Sequence, residues 1–180
     1  PTEYHLNSLV SNNTYTDEAW LLDEPGAEKP SLLQSVYKKE RIEVKGDEYG
    51  LYKFADWLPV KRMLKGSSAP VTYKSDAFAR SLGLKHLYIT FSGWWPEKGA
   101  MMKTCSFKET EAYSVCARLD EDNRKILVVA SAGNTARAFA RVCSDNRIPL
   151  LLCIPEDNLD ALWFEDEIDE CVKVIASRSG

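Results

Sequence analysis

A hydroxyl, an amine and a carboxylate fall close together in MKTCSFKETEAYSVCARL, the stretch from Met102 to Leu119. Ser106 and Glu109 have the S-x-x-E spacing of a capping box, which predicts a helix start where each side chain accepts the other residue's free backbone N–H. Ala112, Val115, Cys116 and Leu119 follow at helical spacing and predict one buried stripe. Lys108 falls in the first turn. A helix N-terminus carries roughly +0.5 of an elementary charge, so a cation gains nothing there. A lysine that works as its neutral amine does gain, because positive potential and desolvation both favour loss of the proton. The neutral amine is the form that attacks a carbonyl carbon to make a Schiff base. A solvated lysine that merely opens a helix has the same local sequence, and this stretch alone does not separate the two.

The second stretch is RKILVVASAGNTARAFAR at 124–141. Ile126 to Ala130 is an apolar, β-branched run that predicts a strand buried on both faces. Ser131-Ala132-Gly133-Asn134 is a tight turn, and Thr135 onward predicts a helix with Ala136, Phe139, Ala140 and Cys143 on one face. Strand, small-residue turn and helix start together make a pocket for anions, because the first helical N–H groups point outward unpaired. The turn lacks the G-x-G-x-x-G of a dinucleotide site and the G-x-x-x-x-G-K of a P-loop.

S-F-K opening one helix and S-A-G-N-T opening the next resemble the pyridoxal-phosphate-dependent enzymes of the tryptophan synthase β class (fold type II). That class includes threonine synthase, cysteine synthase and the serine/threonine dehydratases. Its S-F-K lysine carries the cofactor, its S-x-G-N loop receives the substrate carboxylate, and the loop asparagine faces the cofactor's ring hydroxyl. The resemblance therefore implies Lys108 as the catalytic, cofactor-bearing residue, with Phe107 beside it and Asn134 as the ring contact. It implies Ser131, Ala132, Gly133, Asn134 and Thr135 as the substrate-binding loop. The class pattern N-P-T-G-S-F-K is altered here to Met102-Lys103-Thr104-Cys105-Ser106-Phe107-Lys108. LYKFADWLPV at 51–60, VTYKS at 71–75 and GWWPEKGAMMKTCSFKETEA at 93–112 are most similar to the cysteate synthases, a family close to threonine synthase.

That narrower resemblance implies a β-replacement in which O-phospho-L-serine and sulfite give L-cysteate and phosphate. Threonine synthase chemistry, or another lyase or synthase of the same fold, is the alternative. A catalytically inactive α/β module is a third reading, and the presence of both Lys108 and Asn134 argues against it. Phosphate and sulfite would call for extra positive charge, for which Lys98, Lys103 and Arg137 are candidates by position. Members of the class are often homo-oligomers.

The elements that must position these residues form an alternating pattern. A helix from Ser75 or Asp76 through Leu82 precedes Gly83, a residue suited to a left-handed C′ position. Leu87–Phe91, Ile126–Ala130, Leu150–Ile154 and Val172–Ala176 are predicted strands, with a short helix capped by Asp157 or Asn158. Strand–helix–strand–helix–strand from Ile126 to Ala176 predicts an α/β fold, a parallel sheet with flanking helices. Ligands of such sheets sit at the carboxyl ends of strands, where the 131–134 turn falls. Near the start, Tyr4, Leu6 and Tyr15–Leu22 predict a hairpin turning at Asn12-Asn13, and Pro30–Lys39 reads equally as a short helix or an extended arm. Tyr52, Phe54 and Trp57 read as packing residues. Trp94 and Trp95 either pack the lysine loop or wall a pocket.

The 180 residues, 44% hydrophobic, suffice for a real core. A net charge of −4 from 23 basic and 27 acidic residues offers no broad basic face for nucleic acid. No run is apolar and long enough for a membrane span, and the first residues are polar rather than signal-like. Five cysteines at wide spacing, without a C-x-x-C, read as reduced, mostly buried thiols of a cytoplasmic protein. With only two histidines, no metal site is expected.

Enzymes of the resembled class exceed twice the usual single-domain length. Their second half supplies a glycine-rich cradle for the cofactor phosphate and a hydroxyl residue facing the pyridine nitrogen. Neither is found here. The resemblance thus reads 1–50 as an N-terminal extension, 51–92 as part of a large cofactor domain, and 93–180 as an incomplete small domain. It implies that this N-terminal portion alone binds cofactor poorly and is inactive.

Overall fold

The computed structural model describes residues 3–18, 21–122 and 125–178, so Ala19 and Trp20 of the expected hairpin and Arg124 of the second stretch lie outside the described residues. Among the described residues the fold is mixed α/β, with one parallel sheet and three small antiparallel ones. It divides into two compact units, residues 1–64 with 114–123, and residues 65–113 with 124–180.

In the first unit, β1 (Tyr4–Ser8) lies between β2 (Thr14–Tyr15) and β3 (Leu33–Tyr37), all antiparallel. The hairpin turns at Asn12, whose φ of 60° lies in the left-handed region that asparagine tolerates. Pro30–Lys39 resolves to the extended arm. A 3-10 segment, Asp47–Trp57, buries Leu51, Tyr52 and Ala55, and Gly50 at φ 54° kinks it. Trp57 stays 44% exposed and donates from Nε1 to Lys39 O at 2.9 Å. Asp17 accepts two hydrogen bonds from Arg118, at 2.9 and 2.8 Å, and a third from the Tyr4 hydroxyl at 2.6 Å.

The same unit holds a buried carboxylate with many donors. Glu24 accepts from the hydroxyls of Ser8 (2.6 Å), Tyr15 (2.9 Å) and Ser31 (3.2 Å), from Asn13 Nδ2 (3.2 Å), and from Ser11. Hydrogen bonds from Ser11 and Ser8 hold its carboxyl well below the ordinary 4.5, at about 2. The folded state therefore favours the charged form. Its contribution to stability is complete above the ordinary value and is lost as pH falls toward 2. Glu24→Gln is expected to flatten the fall of the urea midpoint between pH 4.5 and pH 2.5. Parallel wild-type and variant curves over that range would refute the assignment.

In the second unit, β4 (Val71–Lys74) and β5 (Tyr88–Phe91) pair antiparallel around α1 (Asp76–Ser81). Gly83 ends the helix at φ 69°, as its position predicts, but Ser75 makes no side-chain cap. β6 (Trp94–Trp95) pairs with β7 (Ala100–Met101), and α2 (Lys108–Cys116) begins in this unit. β8 (Leu127–Ala130), α3 (Asn134–Asn146), β9 (Leu150–Pro155) and β10 (Val172–Ser177) complete the chain, the strands parallel in the order β10-β9-β8. A 3-10 turn at Glu156–Ala161 replaces the short helix expected there.

β8 departs from the expectation of a strand buried on both faces. The register aligns Val129, Leu152 and Val174 on one face of the sheet. That is the side of α3, where Leu150, Leu152 and Ile154 are buried. Val128, Ala130 and Ile175 occupy the other face and are exposed, Val128 at 58%. An apolar run marks a strand but not how many layers cover it. The cysteines differ too: Cys116 and Cys143 are buried, Cys153 and Cys171 half-buried, and Cys105 exposed. Among the described residues no helix is long and apolar enough to cross a membrane, and no cluster of three or more His, Cys, Asp or Glu is placed to hold a metal.

Candidate active site

Helix α2 begins on Lys108, the residue that the sequence places inside its first turn. The expected capping box forms only in part. Ser106 Oγ accepts from the Lys108 N–H at 3.2 Å, but the Glu109 carboxylate turns to Thr104 instead of Ser106. Thr104 donates both its N–H and its hydroxyl to Glu109 Oε2, each at 2.8 Å. Cys105 explains the difference: its φ of 52° reverses the chain and brings Thr104 under the carboxylate. Met102, Thr104, Ser106 and Glu109 are buried, while Phe107 is 61% exposed.

Burial raises the Glu109 carboxyl above its ordinary 4.5, against the hydrogen bonds from Thr104. Its sign is opposite to that of Glu24. The folded chain holds this proton more tightly than the unfolded one, so the residue's contribution falls as pH rises above the ordinary value. Removing the carboxylate strands two buried donors, each costing about 1–3 kcal/mol. Glu109→Ala is therefore expected to lower the urea midpoint markedly, and Glu109→Gln, which keeps an acceptor, much less. Equal losses in the two variants would exclude the hydrogen bonds as the cause.

Lys108 is not held in a dry pocket, contrary to the desolvation expected for a primed amine. Its Nζ lies 2.6 Å from Glu111 Oε2, three residues on, and 5.4 Å from the centre of the Phe107 ring. About a third of its side chain is exposed. The short acidic neighbour on the same helix face was available to it, and helical i,i+3 spacing brings such pairs together.

The turn after β8 places Ser131, Ala132, Gly133 and Thr135 half-buried and Asn134 exposed. Helix α3 starts on Asn134, one residue before the predicted start, behind Gly133 at φ −157°. No side chain caps it. A Cβ built on Gly133 would meet nothing within 4 Å, so the turn faces open space. An uncapped helix start of this kind, with its outward N–H groups, fits a carboxylate.

Arg137 joins the two stretches. From the first turn of α3, its Nη2 donates to Thr104 O at 3.0 Å and its Nη1 to Asn134 Oδ1 at 3.3 Å. Its Nε donates to Trp163 O at 3.2 Å, and its Cζ lies 3.4 Å from the centre of the Trp163 ring. The loop that precedes Lys108 and the residue that opens α3 thus share one guanidinium. Position in the sequence suggested a cation for an anionic substrate, and only the folded contacts show a bridge. Thr104 and Trp163 carried no signal of this role.

The other candidate cations are placed differently. Lys98 lies over the rings of Trp95 and Tyr73, at 5.7 and 5.8 Å. Lys103 sits between Asp166 (3.7 Å) and Asp145 (3.9 Å). Trp95 meets Tyr73 edge-on at 5.6 Å, so this tryptophan packs on the β4–β5 hairpin.

Fold and site together define an α/β protein whose parallel sheet offers an uncapped βα turn, bridged by one arginine to a loop that opens a helix on lysine. Comparison with known proteins places it beside one family. The chain is 44% identical over 150 residues to cysteate synthase of Methanosarcina barkeri, a match covering 83% of this chain and 36% of the relative. To cysteate synthase of Methanosarcina acetivorans it is 43% identical over 175 residues, 97% of this chain and 41% of the relative. To that of Methanococcoides burtonii it is 49% identical over 139 residues, 76% of this chain and 33% of the relative. The chain thus spans 33% to 41% of the length of these curated relatives. No family model matches the chain, and no solved structure matches it.

Proposed function

We propose that this chain is part of a cysteate synthase, a pyridoxal-phosphate-dependent enzyme of fold type II that converts O-phospho-L-serine and sulfite to L-cysteate and phosphate. The observation that carries the reading is the similarity, at 43% identity over 97% of the chain, to a protein of that name. The bridge between the lysine loop and Asn134 supports it, because the chemistry needs both stretches at one site. Threonine synthase activity draws no support from the relatives reported above. In this reading residues 1–50 are an extension, 51–92 belong to a large cofactor domain and 93–180 to a small one.

Lys108 would hold the cofactor, with Phe107 beside it and Asn134 as the residue facing the ring hydroxyl. Pyridoxal phosphate, when bound, supplies an electron sink for negative charge developing at the substrate's Cα. Backbone N–H groups of Ser131–Thr135 would orient the substrate carboxylate, where helix-dipole attraction contributes roughly 0.3–1 kcal/mol. That is enough to choose an orientation and too little for tight binding alone. The Lys108 amine would take the Cα proton as general base. To do so it must leave Glu111, and the i,i+3 pair on an exposed face is weak enough to allow that.

The test is a product assay on the protein carrying this segment, supplied with pyridoxal phosphate and phosphoserine. Cysteate that forms only with sulfite present is the expected result. Product formed equally well with water in place of sulfite would overturn the assignment.

A further inference from the structure

Arg137 is 6% exposed, yet among the described residues no carboxylate lies within ion-pair distance of it. A buried guanidinium ordinarily has such a partner, since its desolvation is costly. Here three neutral oxygens and the Trp163 ring face it instead. An apolar side chain would fill the same space without that cost.

An anion subsite is the first explanation to weigh. The recess beside Arg137, lined also by Lys103, Arg141 and Asp166, has room for about one water molecule. Lys103 is flanked by two aspartates, and Arg141 donates to Asp145 and to Ser144 Oγ. The recess is too small for a phosphate or sulfite group, and two of its three cations already face aspartates.

The bonding pattern leads elsewhere. Arginine is a donor only, so the Asn134 amide must turn its oxygen toward the guanidinium. Its NH2 group is then directed away from Arg137. The same guanidinium grips the Thr104 carbonyl, and Glu109 grips the N–H and hydroxyl of that same residue. Thr104 is held at every polar atom, and through it the loop that leads into Lys108.

We propose that Arg137 is a positioning residue, a fork that locks the lysine loop to the start of α3 and presents the Asn134 amide as an outward donor. Its meaning for catalysis rests on the function proposed above; the fork itself does not. A planar guanidinium with two parallel donors suits the task, and a single ammonium cannot reproduce both bonds.

The test uses the chain without cofactor, so that its outcome is independent of the pyridoxal phosphate assignment. Amide hydrogen exchange and side-chain amide NMR signals are compared in wild type, Arg137→Met and Arg137→Lys. In Arg137→Met the Thr104 N–H is expected to exchange about tenfold faster or more, and the Asn134 side-chain signals to shift, while protection of β9 is kept. Arg137→Lys, which keeps the stem and the charge, is expected to show the same two local changes. It decides the matter alone if the methionine variant does not fold. Full recovery of both signals by lysine would overturn the proposal, as would unchanged signals or a uniform loss of protection that includes β9.

Discussion

Replacing Lys108 with alanine in the protein carrying this segment is expected to lower turnover by about a thousandfold or more, the range seen when a catalytic base or nucleophile is removed. The fold should be unaffected. Lys108 begins α2 on a partly exposed face, and its ion pair with Glu111 is a surface pair worth about 0–1 kcal/mol. A large loss of activity beside an unchanged urea midpoint is therefore the expected signature. Borohydride reduction in the presence of pyridoxal phosphate should mark Lys108 in the parent and leave the variant unmarked. A label of equal yield on Lys108→Ala would remove this lysine from its assigned role.

The largest effect on stability is expected at Asp17. Its side chain is 3% exposed and receives the bidentate Arg118 fork and the Tyr4 hydroxyl. Asp17 holds Arg118 firmly in its charged form, and burial together with Asp17 pushes the Tyr4 hydroxyl upward. Breaking one side of such a pair leaves an uncompensated charge, at a cost of about 3–5 kcal/mol. Asp17→Ala should therefore unfold at a much lower urea concentration than wild type. Combining it with Arg118→Met should recover part of the loss, because the stranded cation goes with it. Additive losses in the double variant would show that the charge was not the source of the penalty.

How much of this was legible in the sequence follows from which forces act locally. Helix starts at Lys108 and near Thr135, the turn at Asn12, the left-handed Gly83 and the four strands from Leu87 onward all follow from side-chain periodicity and backbone preference. Those signals lie within a few residues of one another. The partner of Glu109 was misread because one positive φ at Cys105 moves Thr104 into the place reserved for Ser106. The surroundings of Lys108, which its own stretch left open, are set by Glu111 three residues on. The bridge through Arg137 was not legible at all, since its acceptors stand 33, 3 and 26 residues away. Coverage of the sheet was likewise beyond the apolar pattern of β8, which ranks residues by type and not by what lies above them.

Cys105 has a consequence of its own. The chain reverses there on a single residue in a region of φ that costs an ordinary L-residue about 1–2 kcal/mol. Tolerance at this site should thus be lopsided: glycine or asparagine relaxes the bend, and a β-branched side chain opposes it. Isoleucine at 105 would unlatch Thr104 from Glu109 and Arg137 in one stroke, and set the two helix starts adrift without touching either.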